Sequence, residues 1–191
     1  QSVKRMDVGV VNGRYFTVRV GVGFEAVVAS ETEDDKSGLG NFAYVLATMR
    51  AARQIDSHHV RVTAEGKLLY EGSVVAGTFA NMPVRVALRV PALEAANPRD
   101  GMLHTILVPE RPGIEALWRW VTGIGPEPAG DEVIHFSGPR FTMNVEGGSP
   151  VHIDGEMAGR LEQLQVKCLA GGLRIRGLDL SGARRWPGMS R

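Results

Sequence analysis

The sequence predicts a mainly β fold: a two-layer β-sandwich of many short antiparallel strands, with two or three short helical inserts. Three observations carry this. Apolar residues alternate with polar or small ones, as in Phe16, Val18, Val20 and Val22 or in Val60-Arg61-Val62-Thr63, which is the period-2 signature of a half-buried strand. Turn signals recur along the chain at Asn12-Gly13, Glu65-Gly66, Gly147-Gly148 and Gly171-Gly172. The 24 glycines and 10 prolines among 191 residues lie well above the usual combined share of about 12%. A hydrophobic content of 43% is enough to bury a core.

The elements follow in order. Residues 6–11 and 14–22 are β-prone runs joined by Asn12-Gly13, and both positions of such a turn need the positive φ that asparagine and glycine tolerate. Residues 24–33 suit a short helix. Over 41–53, Phe42, Val45, Leu46, Met49 and Ala52 recur at helical spacing, so one face of a helix is apolar. Strands return at Val60, turn at Glu65-Gly66 and continue over 67–81. Pro83 interrupts them, residues 84–90 alternate again, and Pro91 ends that run, since proline lacks a ladder donor. Residues 92–101 read as a loop and 102–108 as a strand. Pro112-Gly113 opens another short helix with Ile114, Leu117, Trp118 and Val121 on one face. A Pro/Gly loop spans 123–130. The last third reads as strands 133–136, 140–145, 150–154, 163–169 and 173–178, with the glycine pairs as breaks between them. Residues 1–180 make one domain, and 181–191 form an irregular, mildly basic tail.

Composition removes several functions. The 22 basic and 21 acidic residues leave a net charge of +1, too little for a surface that binds nucleic acid through bulk charge. No run approaches the roughly 18 apolar residues of a membrane span. The single cysteine, Cys168, excludes an internal disulfide and a cysteine-based zinc site, and it suits a reducing cytoplasm. Neither a Gly-x-Gly-x-x-Gly nor a Gly-x-x-x-x-Gly-Lys-Ser/Thr loop occurs, so a nucleotide would be held elsewhere. The start at Gln1-Ser2-Val3 has no initiator methionine and no leader-like apolar run; it reads as an internal cut.

Two segments could carry chemistry. In Val151-His152-Ile153-Asp154-Gly155-Glu156, a strand would place both carboxylates on one face, about 7 Å apart, where they could act as base and partner in proton transfer. On local sequence alone, the stronger reading of the same residues is a hairpin turn in which Asp-Gly is favoured. In Asn97-Pro98-Arg99-Asp100-Gly101-Met102, one carboxylate with flanking carbonyls could hold a hard cation such as Mg²⁺; the alternative is a turn that launches the next strand. The histidines are weaker. His58 and His59 point to opposite sides of a strand and do not chelate together. His152 lies beside the carboxylates, where it could tune them or contact phosphate.

Several segments, in order, resemble a known family. Met6-Asp7-Val8-Gly9-Val10-Val11-Asn12-Gly13-Arg14-Tyr15-Phe16, followed by Gly21-Val22-Gly23-Phe24-Glu25-Ala26, resembles the opening of the C-terminal domain of bacterial diacylglycerol kinase-like lipid kinases, relatives of sphingosine and ceramide kinases. Gly40-Asn41-Phe42-Ala43-Tyr44 resembles the start of that domain's first helix. Ala96-Asn97-Pro98-Arg99-Asp100-Gly101-Met102-Leu103 resembles its metal loop, and Ile153-Asp154-Gly155-Glu156 with Gly159 its late carboxylate motif. The resemblance spans residues 5–178.

The resemblance implies an ATP-dependent transfer of the γ-phosphoryl group to a lipid hydroxyl such as that of diacylglycerol. It makes Glu156 the proton acceptor and Asp154 its acidic partner near the phosphates. It makes Asp100 the carboxylate of a Mg²⁺ site, with Asn97 and Met102 contributing backbone carbonyls. ATP would be bound mainly by an N-terminal domain that carries a Gly-Gly-Asp-Gly-Thr loop and lies outside this chain, so the chain alone is expected to be inactive. The partners implied are that domain and a lipid at the membrane surface, with a homodimer compatible and no nucleic acid. The place implied is the cytoplasmic side of the inner membrane. Two departures stand out: Arg99-Asp100 where many members carry two acids, and Met82-Pro83-Val84-Arg85-Val86-Ala87 where many carry glycines. Two other readings stay open, an NAD kinase-type phosphotransferase and a non-catalytic β-sandwich binding module.

Overall fold

The computed structural model describes residues 3–26, 56–83, 96–110 and 133–176. The helices expected over 41–53 and after Pro112, the strand 84–90, the loop 123–130 and the tail 181–191 lie outside the described residues. So does most of 24–33, of which residues 24–26 are helical.

The described residues are mainly β, as expected. Nine strands follow in order: β1 (Val3–Val11), β2 (Arg14–Phe16), β3 (Arg19–Gly23), β4 (His58–Ala64), β5 (Lys67–Ala80), β6 (Leu103–Pro109), β7 (Ile134–Gly138), β8 (Arg140–Ile153) and β9 (Glu156–Arg176). Every pairing among them is antiparallel. The sheet runs β2-β1-β9-β8-β3-β5-β6-β7, and β4 bridges β5 and β8. Strands β3, β5, β4 and β8 therefore close a four-stranded ring. A sheet closed on itself is the barrel form of sheet-on-sheet packing, and it packs two facing layers around one core without a free edge between them.

Inside the ring, Val20 and Val22 of β3, Val60 and Val62 of β4, Phe79 of β5 and Met143, Val145 and Val151 of β8 are almost fully buried. These are the alternate positions of their strands, so the period-2 pattern is what turns one face inward. Burying each such side chain stabilises the fold by about 1.5–3 kcal/mol. Phe79 and Phe141 pack with ring centroids 5.8 Å apart.

Three tight hairpins join neighbours. Their central residues, Asn12-Gly13, Glu65-Gly66 and Asp154-Gly155, all have positive φ, as the twist-matching two-residue turn requires. The glycine pairs of the last third are not breaks. Gly147 and Gly148 are bulge residues inside β8, where the register with β9 shifts between Asn144 and Ser149. Gly171 lies inside β9, opposite a shift in β1 between Met6 and Val8. Five expected short strands thus become β7 and two long, bent strands, because a glycine at positive φ lets a strand bend and continue. The expected strand 14–22 is broken instead at Thr17-Val18, for a reason that lies at the candidate site.

Candidate functional site

The Asp154–Glu156 segment is the hairpin between β8 and β9. Asp154 and Gly155 are the two turn residues, and Glu156 opens β9 opposite Ile153. The carboxylates therefore do not share a strand face, and they do different things.

Asp154 uses both oxygens to hold another turn. Its Oδ2 accepts from Thr17 N–H at 2.7 Å and from the Thr17 hydroxyl at 3.0 Å. Its Oδ1 accepts from Val18 N–H and Arg19 N–H, each at 2.9 Å. Asp154 N–H donates back to Arg19 O at 2.9 Å. Three successive amides aimed at one carboxylate cannot also serve a β-ladder, so the strand breaks at 17–18. Burial alone would raise the Asp154 pKa, but the amides of Thr17, Arg19 and Val18 and the Thr17 hydroxyl outweigh it and hold the carboxyl below its ordinary value. A carboxylate depressed in the folded state contributes stability above its unfolded pKa and loses that contribution as pH falls through the folded one. Asp154→Asn is accordingly expected to lower stability at pH 7 by about 1 kcal/mol, a value reduced for the partial exposure of the turn. The gap between variant and wild type should close below pH 4, as urea-unfolding midpoints across pH would show.

Glu156 is exposed. Among the described residues its carboxylate makes no hydrogen bond or ion pair, so it is available to an incoming group.

A buried polar cluster lies behind the turn, on the face of β3, β5 and β8 opposite the ring interior. Gly21 pairs with both Thr78 and His152, and Glu25, from the helical residues after β3, folds back over it. The Glu25 carboxylate pairs with the Arg19 guanidinium and accepts from the Thr78 hydroxyl. The His152 Nε2 lies 3.8 Å from Glu25 Oε1, and His152 is 0% exposed. His152 Nδ1 accepts from Gly155 N–H at 3.2 Å. Burial alone would raise the Glu25 pKa, but Arg19, His152 and Thr78 together keep it below its ordinary value. A Cβ at Gly21 would sit 2.1 Å from His152 Nε2 and 2.9 Å from Glu25 Cδ, so only glycine leaves room for the two side chains to meet.

The loop 97–102 is anchored from below by Asp7, which is 2% exposed. Asp7 Oδ2 accepts from Gly101 N–H and its Oδ1 from Gly171 N–H, both at 2.7 Å, while Asp7 N–H donates to Pro98 O at 2.8 Å. Buried Asn81 joins the two motifs, its side-chain amide donating to Asp7 O at 3.0 Å and Thr17 O at 2.9 Å. Asp100 points elsewhere: Oδ1 accepts from Met102 N–H at 2.9 Å, and Oδ2 lies 3.1 Å from His104 Nε2. The Asn97 carbonyl accepts from Arg99 N–H at 2.7 Å and Asp100 N–H at 3.3 Å. Two of the three expected Mg²⁺ ligands, the Asp100 carboxylate and the Asn97 carbonyl, therefore already accept hydrogen bonds, and a cation on Asp100 Oδ2 would compete with His104. Among the described residues no group of three or more His, Cys, Asp or Glu converges on one point.

Cys168, half-buried in β9, is unreactive: burial, then Asp7 and Asp100, push its thiol up to about 11. Asp7, Arg19 and Glu25 had no separate reading as site residues. The one signal for Glu25 was a carboxylate inside the otherwise apolar run from Val20 to Ala26.

No family model and no curated protein matches the sequence. Solved structures do. Three proteins of Bacillus anthracis str. Sterne, one a diacylglycerol kinase and two assigned as such, superpose with TM-scores of 0.59, 0.67 and 0.65 and identities of 18%, 22% and 23%. Each superposition covers 91% of this chain. The chain has a diacylglycerol kinase-like fold. It spans 53%, 57% and 57% of the length of those structures, in the same order. Among the described residues, no helix is long and apolar enough to cross a membrane.

Proposed function

We propose that this chain is the substrate-side part of an ATP-dependent lipid kinase that transfers the γ-phosphoryl group to a lipid hydroxyl such as that of diacylglycerol. The observation that carries the reading is Glu156, a carboxylate that is exposed and, among the described residues, unengaged, set at the first residue of β9 by a turn tied down on both sides. Its carboxylate accepts the proton of the lipid hydroxyl as that oxygen bonds to the γ-phosphorus. The bond from the γ-phosphorus to the β–γ bridging oxygen breaks, and ADP leaves. Such a transfer needs an oriented hydroxyl and neutralised charge more than covalent help, which suits a site made of one base on a rigid turn. Mg²⁺ enters with ATP as part of the co-substrate, and most nucleotide contacts come from a domain outside this chain. Asp154 serves by holding the turn. The protein acts where its lipid lies, at the cytoplasmic face of the membrane.

The test is transfer of label from γ-³²P-ATP by the complete protein, offered diacylglycerol in mixed micelles or NAD in solution. Label in the lipid fraction is expected. Label only in NADP, or only in free phosphate, would overturn the reading.

A further inference from the structure

Behind the Asp154–Glu156 turn, Glu25, Thr78 and His152 are buried and Arg19 is largely so, and Arg19 and His152 touch the turn. Arg19 does so through its backbone, donating to Asp154 Oδ1 and accepting from Asp154 N–H, each at 2.9 Å. His152 does so through its ring, since Nδ1 accepts from Gly155 N–H at 3.2 Å. Both reach back to the same carboxylate: the Arg19 guanidinium is ion-paired with Glu25, and His152 Nε2 faces Glu25 Oε1 at 3.8 Å.

The tautomer follows from this geometry. A ring nitrogen that accepts a backbone N–H carries no proton, so neutral His152 holds its proton on Nε2. That N–H has no hydrogen-bond partner among the described residues, and the charged group facing it is the Glu25 carboxylate, 3.8 Å away. The arrangement is costly. A buried carboxylate and guanidinium must both leave water, and an apolar alternative would fill the space below the turn more simply. A charged centre that touches both sides of one turn fixes that turn's backbone in a way apolar contacts, which are non-directional, do not.

We infer that Glu25 is a positioning residue: its buried carboxylate locks the Arg19 guanidinium and the Nε2–H form of His152, and through them holds the Asp154–Gly155 backbone that presents Glu156. The link to Glu156 rests on the function proposed above; the clamp itself does not. Glu25 touches no reacting atom. It acts on the orientation of the base, so its loss shows in kcat and not in nucleotide affinity.

The test uses the complete protein and three variants. Glu25→Gln keeps the shape and removes the charge. Arg19→Met with Glu25→Gln removes both charges, and so keeps the test alive if the single variant leaves Arg19 unpaired and unfolds. His152→Asn keeps an acceptor near Gly155 N–H but withdraws from Glu25. Imidazole ¹⁵N resonances of the wild type should show His152 protonated on Nε2 only. In the double variant, exchange of the Gly155 amide should quicken by about tenfold as the turn loosens. Its kcat should fall by about 10- to 100-fold, the usual penalty for a misplaced catalytic group, with KM for ATP within about twofold of wild type. His152→Asn should fall between wild type and the double variant in both measures.

A folded double variant with wild-type Gly155 exchange overturns the clamp. Faster exchange with unchanged kcat overturns the positioning of Glu156. If the wild type phosphorylates no lipid, the proposed function fails while the exchange and ¹⁵N data still decide the clamp.

Discussion

Glu156→Gln is expected to lower phosphoryl transfer to lipid by about 10²- to 10⁴-fold, the usual contribution of a positioned base. Glutamine has the same shape but no charge, and its amide does not accept the hydroxyl proton. Glu156 is exposed and its carboxylate makes no hydrogen bond or ion pair among the described residues, so the substitution should leave stability within about 0.5 kcal/mol of wild type. The measurement pairs kcat and KM for ATP with a urea-unfolding curve on the same preparation. A large fall in kcat with an unchanged midpoint supports the assignment. Turnover within about twofold of wild type would place the proton acceptor elsewhere.

Asp7→Ala should have the largest effect on stability. The carboxylate is 2% exposed and accepts from Gly101 N–H and Gly171 N–H. Alanine leaves both donors without a partner, at about 1–3 kcal/mol each. Some relaxation toward water should limit the total to about 2–4 kcal/mol, or a fall in Tm on the order of 5–15 °C for a chain of this size. Asp7→Asn keeps one acceptor oxygen and should lose about half as much. Thermal unfolding of the three proteins orders them. Equal midpoints for Asp7→Ala and wild type would mean that the loop 97–101 holds itself. The substitution also frees the loop from β1 and β9, so hydrogen exchange at Gly101 should quicken more than at Gly21, which lies in the ring.

Much of the fold was legible because its signals are local. Asn12-Gly13 and Glu65-Gly66 are adjacent pairs that make a tight turn whatever surrounds them, and both are hairpins. The alternation at Val60 to Thr63 faces the core as its period requires. Strand breaks were less legible. Gly147-Gly148 and Gly171 look like stops in a linear reading, yet a neighbouring strand continues past them and the glycines become bulges. Thr17-Val18 looks like the middle of a strand, yet Asp154, which lies 137 residues from Thr17 in the chain, takes its amides.

The candidate site divides in the same way. Residue type and spacing alone singled out Asp154, Glu156 and Asp100 as groups able to carry charge chemistry. Their roles depended on what approaches them. Asp154 is saturated by amides of a distant turn and Asp100 is engaged by Met102 and His104, while Glu156 makes no hydrogen bond or ion pair among the described residues. Asp7 and Glu25 carried no local signal of equal strength, since their significance lies in partners on other strands.

By itself, then, the sequence determined the mainly β class, the hairpins and the set of carboxylates from which a site could be built, because turn preference and side-chain alternation act over a few residues. The tertiary structure alone decided the closed ring, the break at 17–18 and which of these carboxylates makes no hydrogen bond among the described residues. The ring and the break depend on partners far apart in the chain, such as Val20 with Ile153 and Thr17 with Asp154, 137 residues away, where pairing follows the register of neighbouring strands and no local rule reaches.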